Sequence, residues 1–164
     1  MKKAVMLAAL IAASPAFAQT EQPAPPPKKD ANWHNEQLLH LLNLKPSDGW
    51  QTTASGLRYR KVKSGPGGGA RPAPTDTVTI HYAGKFIDGT EFDSSIARGE
   101  PATFPLPRLI KGWQEGVPLM AVGETFEFAI PYGLAYGAKG KGPIPGGATL
   151  LFTIELIAIP PAGG

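Results

Sequence analysis

Arg108-Leu109-Ile110-Lys111-Gly112-Trp113-Gln114-Glu115-Gly116-Val117 is the one short, convincing helical stretch in a C-terminal half that otherwise alternates like β-strand. Leu109, Ile110, Trp113 and Val117 recur at three- and four-residue spacing, which places them on one side of a helix. Pro105 and Pro107 precede the stretch, and Gly116 with Pro118 closes it, so two or three turns are its limit. A helix that short is unstable alone and must be held by what packs around it.

The flanking segments supply that packing. From Asp76 to Phe86, Val78, Ile80 and Tyr82 face one way while Thr77, Thr79 and His81 face the other. Asp88-Gly89 is a hairpin turn signal, and Thr90 to Asp93 resumes as the return strand. Ser94 to Pro101 reads as irregular. Leu57 to Lys63 alternates ahead of the loop Ser64 to Ala70, whose glycines lack the Gly-Lys-Ser/Thr ending of a phosphate-binding loop. Glu124 to Ile130 turns Phe126, Phe128 and Ile130 inward and leaves Glu124, Thr125 and Glu127 to solvent or an edge. In the last strand, Thr149 to Ile157, Leu150, Phe152, Ile154 and Leu156 share a face. Tight turns without βαβ spacing predict an α+β domain: an antiparallel sheet with one short helix over its apolar face.

The N-terminal third is organised differently. Residues 1–18 read as a secretory signal, with Lys2 and Lys3, an apolar run from Ala4 to Ala13, and Ala16-Phe17-Ala18 as a cleavage site after Ala18. That run is too short to span a membrane. Residues 19–30 form a proline-rich linker. In 31–49 a short helix is expected, capped by Asp30 or Asn32, running to about Leu44, with Leu38, Leu41, Leu42 and Trp33 as its apolar stripe. Packing on its own domain is the plain expectation for this helix and dimerisation the sharper one; a monomer is expected over a dimer. Without Lys2 and Lys3 the 16 basic residues become 14 against 13 acidic ones, which gives no electrostatic case for nucleic acid.

Most catalytic devices are missing. Cys is absent, and His34, His40 and His81 show no metal-ligand spacing, so neither a metal nor a cofactor is expected. Ser94 and Ser95 lack a neighbouring base in sequence, and His81 points away from the Tyr82 face, so hydrolysis is disfavoured. What the inward faces do offer is aromatic surface: Tyr82, Phe92, Trp113, Tyr136 and Phe152. An ordinary core accounts for most of it. Tyr136 lies in a loop-like segment with no strand to bury it, and Asp93 sits beside Phe92 where a carboxylate needs a partner, Tyr82 or Arg98. An apolar concavity with a few placed polar groups is the usual form of a small-molecule or peptide site.

Five motifs in order make a specific resemblance. They are Ile80-His81-Tyr82-Ala83-Gly84, Asp88-Gly89 with Phe92-Asp93-Ser94-Ser95, Leu109-Ile110-Lys111-Gly112-Trp113 with Glu115-Gly116, Pro131 with Leu134-Ala135-Tyr136-Gly137, and Ile144-Pro145 with Ala148-Thr149-Leu150, Phe152 and Ile154-Glu155-Leu156. Over about residues 50–160 the chain resembles the FKBP-type peptidyl-prolyl isomerases. The resemblance implies an antiparallel half-barrel of five to six strands wrapped around one short helix. It implies Trp113 as the floor of a proline pocket, with Tyr82, Phe92, Asp93, Ile110, Tyr136 and Phe152 as the catalytic set and Leu109, Ile144 and Arg98 binding substrate. Tyr136 and the Ile110 N–H would hold substrate carbonyls, and Tyr82 with Arg98 would hold Asp93. Ala102 stands where many members place a pocket aromatic, Lys141 where cytosolic members have His, and Gly146-Gly147 is expected to loosen the loop after Ile144.

The activity so implied is cis–trans isomerisation of X-Pro bonds in exported proteins, without a cofactor. Proline-containing polypeptides are the implied partners, with macrolide inhibitors as a further ligand class, and the location is periplasmic or secreted. The alternative is a periplasmic peptide-binding chaperone, a holdase whose isomerase site is weak or vestigial.

Overall fold

The computed structural model describes residues 29–161, so the signal-like segment 1–18 and all but the end of the proline-rich stretch lie outside the described residues. The strands are β1 (Gln51–Thr52), β2 (Arg58–Lys63), β3 (Thr77–Lys85), β4 (Glu91–Ser94), β5 (Ala102–Pro105), β6 (Thr125–Ile130), β7 (Gly140–Lys141), β8 (Ile144–Pro145) and β9 (Leu150–Ala158). Seven of them form one sheet in the order β1-β2-β6-β9-β3-β4, with β5 also paired to β3. Every pairing is antiparallel. The sheet exceeds the expected five to six strands because the short β1 and β5 both join it.

The long strands β3 and β9 lie side by side at the centre, with Ile80 opposite Leu156 and Tyr82 opposite Ile154. On β9's other side Phe126 meets Ile154 and Phe128 meets Phe152. Strict alternation along β3 buries Val78, Ile80 and Tyr82 on one face, because successive strand side chains point to opposite faces. The hairpin after β3 turns where the sequence indicated. Gly89 adopts φ +88°, and Asp88 accepts from the Thr90 N–H at 2.8 Å.

Three α-helices complete the described residues: α1 (Ala31–Leu42), α2 (Ser95–Arg98) and α3 (Lys111–Gly116). The stretch Ser94 to Pro101 is therefore not irregular throughout. The Ser94 hydroxyl accepts from the Ala97 N–H, a single helical turn follows, and Gly99 ends it at φ +78°. The helix α3 is shorter than its apolar spacing suggested. Leu109 and Ile110 are extended residues ahead of it, and Ile110 is its N-cap, with a carbonyl that accepts from Trp113 and Gln114. Pro118 does not stop the chain's winding but sits in a 3₁₀ turn, Val117–Leu119, at an early position where its missing N–H costs nothing.

The two glycines of α3 are what let it lie flat on the sheet. A methyl group at Gly112 would stand 2.5 Å from Ile130 Cγ2, and one at Gly116 would stand 2.5 Å from Phe128 Cε1. Backbone thus replaces side chain at the contact, and Trp113 between them projects into the half-barrel.

Two readings of polar and apolar faces are corrected. In α1 the Asp30 carboxylate caps the Trp33 N–H at 2.9 Å, and the buried face consists of Trp33, Gln37 and Leu41, whereas Leu38 and Leu42 are 57% and 58% exposed. Glu124, expected at the surface, is only 7% exposed. It accepts from the Ala121 N–H at 2.8 Å and from Lys61 at 2.5 Å. Burial opposes its ionisation, but those two donors outweigh it and hold its carboxyl below the usual range.

Candidate active site

A cavity of about 350 Å³ opens where the half-barrel meets α3. Trp113, 5% exposed, lies among three aromatic rings. Its ring centroid is 5.0 Å from Phe152, 5.2 Å from Tyr82 and 6.3 Å from Phe104, all at steep angles. Edge-to-face packing of this kind suits the quadrupoles of the rings. The indole N–H is buried and has no hydrogen-bond acceptor among the described residues, so the floor presents aromatic carbon and one unpaired donor. Phe92 closes one side, perpendicular to Phe152 at 5.6 Å. Gly84 leaves both rings their space, since a methyl there would stand 2.6 Å from Phe152 Cε1 and 2.7 Å from Phe92 Cζ.

Three residues of β3, β4 and α2 make the polar edge. The Tyr82 hydroxyl donates to Asp93 Oδ2 at 2.6 Å; Arg98 Nη1 donates to Asp93 Oδ1 at 2.5 Å and Nη2 to the Tyr82 oxygen at 2.9 Å. Burial pushes the Tyr82 hydroxyl up, and its bond to the Asp93 carboxylate pushes it further. For Asp93 burial raises the value, but the hydrogen bonds from Tyr82 and Arg98 and the Arg98 charge prevail, so the net shift is downward. Tyr136 is raised as well, by burial first and then by the Asp93 charge. It stays a neutral hydroxyl donor across the physiological range.

A depressed carboxylate stabilises the fold above its unfolded-state value, and that contribution is lost as pH falls through the folded value. Replacing Arg98 by Ala removes a donor and a positive charge from Asp93 while burial persists. The Asp93 carboxyl, followed by NMR, is therefore expected to titrate at higher pH in Arg98→Ala than in the parent. An unchanged titration would show that Arg98 does not hold the carboxylate in solution.

The cavity brings together Tyr82, Phe92, Asp93, Leu109, Ile110, Trp113, Tyr136 and Phe152. Two residues expected at the site do not line it. Arg98 acts from behind Asp93. Ile144 is buried in the core and faces the adjoining hollow with Lys29 and Trp33, because the β7–β8 hairpin turns it inward opposite Lys141. Phe104 and Arg108 line the cavity without having been placed there, and Lys141, marked by the resemblance as a departure from the family's His, lines it as well. Phe104 was legible, being two residues from Ala102 on a strand between prolines, hence on the same face. It adds an aromatic ring to the cavity lining two residues along the strand from Ala102. The expected loosening at Gly146-Gly147 is also corrected: a methyl at Gly146 would stand 2.0 Å from the Ala138 carbonyl oxygen, so glycine here permits close backbone packing.

His81 does have a partner. Its Nδ1 is 3.0 Å from Ser95 Oγ. Ser95 is wholly buried and accepts from the Tyr82 N–H at 2.8 Å, so the pair pins α2 to β3 and presents no nucleophile.

A half-barrel around a short helix, with an aromatic-floored cavity at their junction, defines a class of small-ligand or peptide-binding domain. Comparison with known proteins specifies it. The sequence model of a family described as FKBP-type peptidyl-prolyl cis-trans isomerase matches residues 68–157. The chain is 54% identical over 120 residues to an FKBP-type peptidyl-prolyl cis-trans isomerase FkpA of Aeromonas hydrophila, covering 73% of this chain and 44% of that one. It is 52% identical over 125 residues to the FKBP-type 22 kDa peptidyl-prolyl cis-trans isomerase of Escherichia coli, covering 76% and 60%. The crystal structure of FkpA from Escherichia coli superposes with a TM-score of 0.71 at 39% identity, covering 80% of this chain and 60% of that one. A peptidyl-prolyl cis-trans isomerase from Pseudomonas syringae gives 0.73 at 29% identity, covering 82% and 98%. The chain belongs to the FKBP-type peptidyl-prolyl cis-trans isomerase family. It spans roughly half the length of the curated relatives it matches, 44% and 60% of the two above.

Proposed function

We propose that the protein is a peptidyl-prolyl cis-trans isomerase that turns X-Pro bonds of folding polypeptides in the cavity floored by Trp113. The observation that carries this reading is an aromatic-lined, 350 Å³ cavity with an ordered hydroxyl–carboxylate–guanidinium edge in a chain of this family. Uncatalysed rotation about the amide faces a barrier of roughly 18–20 kcal/mol, held up by resonance that separates charge in the planar form. Twisting removes that charge separation, so apolar surroundings disfavour the planar amide relative to the twisted one.

In this reading the prolyl ring rests on Trp113 between Phe92, Phe104 and Phe152. The Tyr136 hydroxyl and the Ile110 N–H, which precedes the first turn of α3 and is outside its ladder, hold the flanking carbonyls. No bond is made or broken, so neither a nucleophile nor a proton shuttle is required. Leu109 and Ile144 support the walls, Ile144 from the core side. Macrolide inhibitors of the family would occupy the same cavity.

The test is a refolding reaction limited by a single prolyl bond, together with a protease-coupled assay on a proline-containing tetrapeptide. Acceleration that a macrolide suppresses is expected, and no acceleration by the folded protein would refute the reading. A holdase with a vestigial site is the second reading; it rests on Leu38, Leu39 and Leu42, all exposed on α1. It predicts that suppression of client aggregation survives cavity mutations that abolish isomerisation. A monomer is the proposed state, because α1 spends its buried face on its own domain.

Residues 1–18 are proposed to direct export to the periplasm or beyond. Mass spectrometry of protein recovered outside the cytoplasm should give a chain beginning at Gln19. Among the described residues no helix is long and apolar enough to cross a membrane.

A further inference from the structure

The helix α1 reaches the domain through one buried polar contact. Gln37, 5% exposed in the face that also buries Trp33 and Leu41, accepts from the Thr149 N–H through Oε1 at 2.9 Å, and the Thr149 hydroxyl donates to the backbone carbonyl of Gln37 at 3.3 Å. Thr149 is itself buried, so its N–H has no water to replace this acceptor.

From Thr149 the contact continues into the wall of the cavity. Gly147, two residues earlier, packs so closely under α1 that a methyl there would stand 3.1 Å from the His34 ring. The Gly147 N–H donates to the Gly137 carbonyl at 2.9 Å, and the Gly140 N–H to the Tyr136 carbonyl at 3.1 Å. Gly140 and Gly146 allow the two loops to touch backbone to backbone: a methyl at Gly140 would stand 2.2 Å from the Ile144 carbonyl oxygen. Residues 132–140 and 141–149 are therefore joined backbone to backbone. Tyr136 and Lys141 stand on these joined loops and line the cavity.

We infer that Gln37 is a positioning residue for the cavity: held by Thr149 from outside, it fixes the paired loops that present Tyr136 and Lys141 to the substrate. Its kinetic consequence rests on the isomerase reading given above; its structural consequence does not. The helix that precedes the domain is, on this view, a brace for the cavity wall rather than a spacer.

The test uses the full chain with Gln37→Met, which keeps the length and apolar volume but has no carbonyl acceptor, and Gln37→Glu, which restores an acceptor oxygen. Amide hydrogen exchange without ligand is expected to quicken about ten-fold at Gly137, Gly140, Gly147 and Thr149 in Gln37→Met, and to return toward the parent in Gln37→Glu. Exchange in β3 and β9 should stay near parental. On a prolyl peptide, well below the melting temperature of every variant, KM is expected to rise about five-fold in Gln37→Met with kcat within about two-fold of the parent.

Parental loop exchange and KM in a folded Gln37→Met would overturn the inference. So would a uniform rise in exchange across the sheet, which marks plain destabilisation. If Gln37→Met is too unstable to isolate, Gln37→Asn keeps a buried amide but draws its oxygen back from the Thr149 N–H by one methylene. The same readouts should then move about two-fold, and parental values would overturn the inference equally. If the parent shows no isomerase activity, the isomerase reading fails while the exchange result still decides the brace.

Discussion

Trp113→Ala is expected to lower kcat/KM about 100-fold, because a buried aromatic anchor at the centre of a binding site is worth about 2–4 kcal/mol and each 1.36 kcal/mol is a factor of ten. The side chain is both floor and packing element. Its removal deletes three edge-to-face contacts at 5.0, 5.2 and 6.3 Å and opens a hole beneath the site. The stability cost is about 3–5 kcal/mol, against a total of about 5–15 kcal/mol for a domain, so a folded but weakened protein is expected. Trp113→Phe separates the two roles. It keeps apolar volume over most of the floor and should lose about ten-fold in kcat/KM with a smaller fall in melting temperature. Activity in a prolyl-limited refolding assay, read beside circular-dichroism melts, decides the matter. A Trp113→Ala protein as active as its parent would place the site elsewhere.

Gly112→Val is expected to destabilise the fold by about 3 kcal/mol or more, at the upper end of the cost of overpacking a core. Helix propensity argues the other way at this position for alanine, with a gain of about 1 kcal/mol over glycine. The geometry decides between them. The first added carbon would already lie 2.5 Å from Ile130 Cγ2, and Ile130 is fully buried with no room to retreat. Gly116→Ala meets Phe128 in the same way and should cost about 1–2 kcal/mol after the propensity gain is subtracted. Both changes lift α3 from the sheet and with it the floor at Trp113, so a fall in kcat/KM should accompany the fall in urea midpoint. A rise in stability for either variant would mean that the helix can shift outward freely.

Alternation made the sheet legible, since Val78, Ile80 and Tyr82, or Leu150 through Leu156, leave one face fully apolar, and Asp88-Gly89 marks its own turn. The place of Trp113 at the floor was legible only through the family resemblance, because an indole on a short helix is by itself ordinary core. Periodicity failed where chain geometry changes within a few residues. Leu109 and Ile110 keep helical spacing with Trp113, yet a separate 3₁₀ turn, Leu106–Arg108, ends in extended backbone at Leu109, and Ile110 then caps the helix. In α1 three leucines and Trp33 outvoted one glutamine, although the glutamine is buried, because a backbone N–H 112 residues away needed its oxygen. No local pattern encodes such a partner. Glu124 misled for the same reason: its partners, Lys61 and the Ala121 N–H, come from another strand and from a preceding turn. Gly146 and Gly147 read as slack because a glycine's sequence does not say whether it serves freedom or proximity.

The placing of β9 between β6 and β3 has a consequence for how the chain is made. A chain delivered from its N-terminus releases β3 and β6 before the strand that must separate them. Until Leu150–Ala158 arrives, the two flanking strands each carry an unsatisfied edge, and pairing them directly would be a misfold. Closure therefore waits for the last strand of the sheet and depends on contacts far apart in sequence, which fold slowly. A protein proposed to hasten the folding of others must itself keep two open edges apart until Leu150–Ala158 has been delivered.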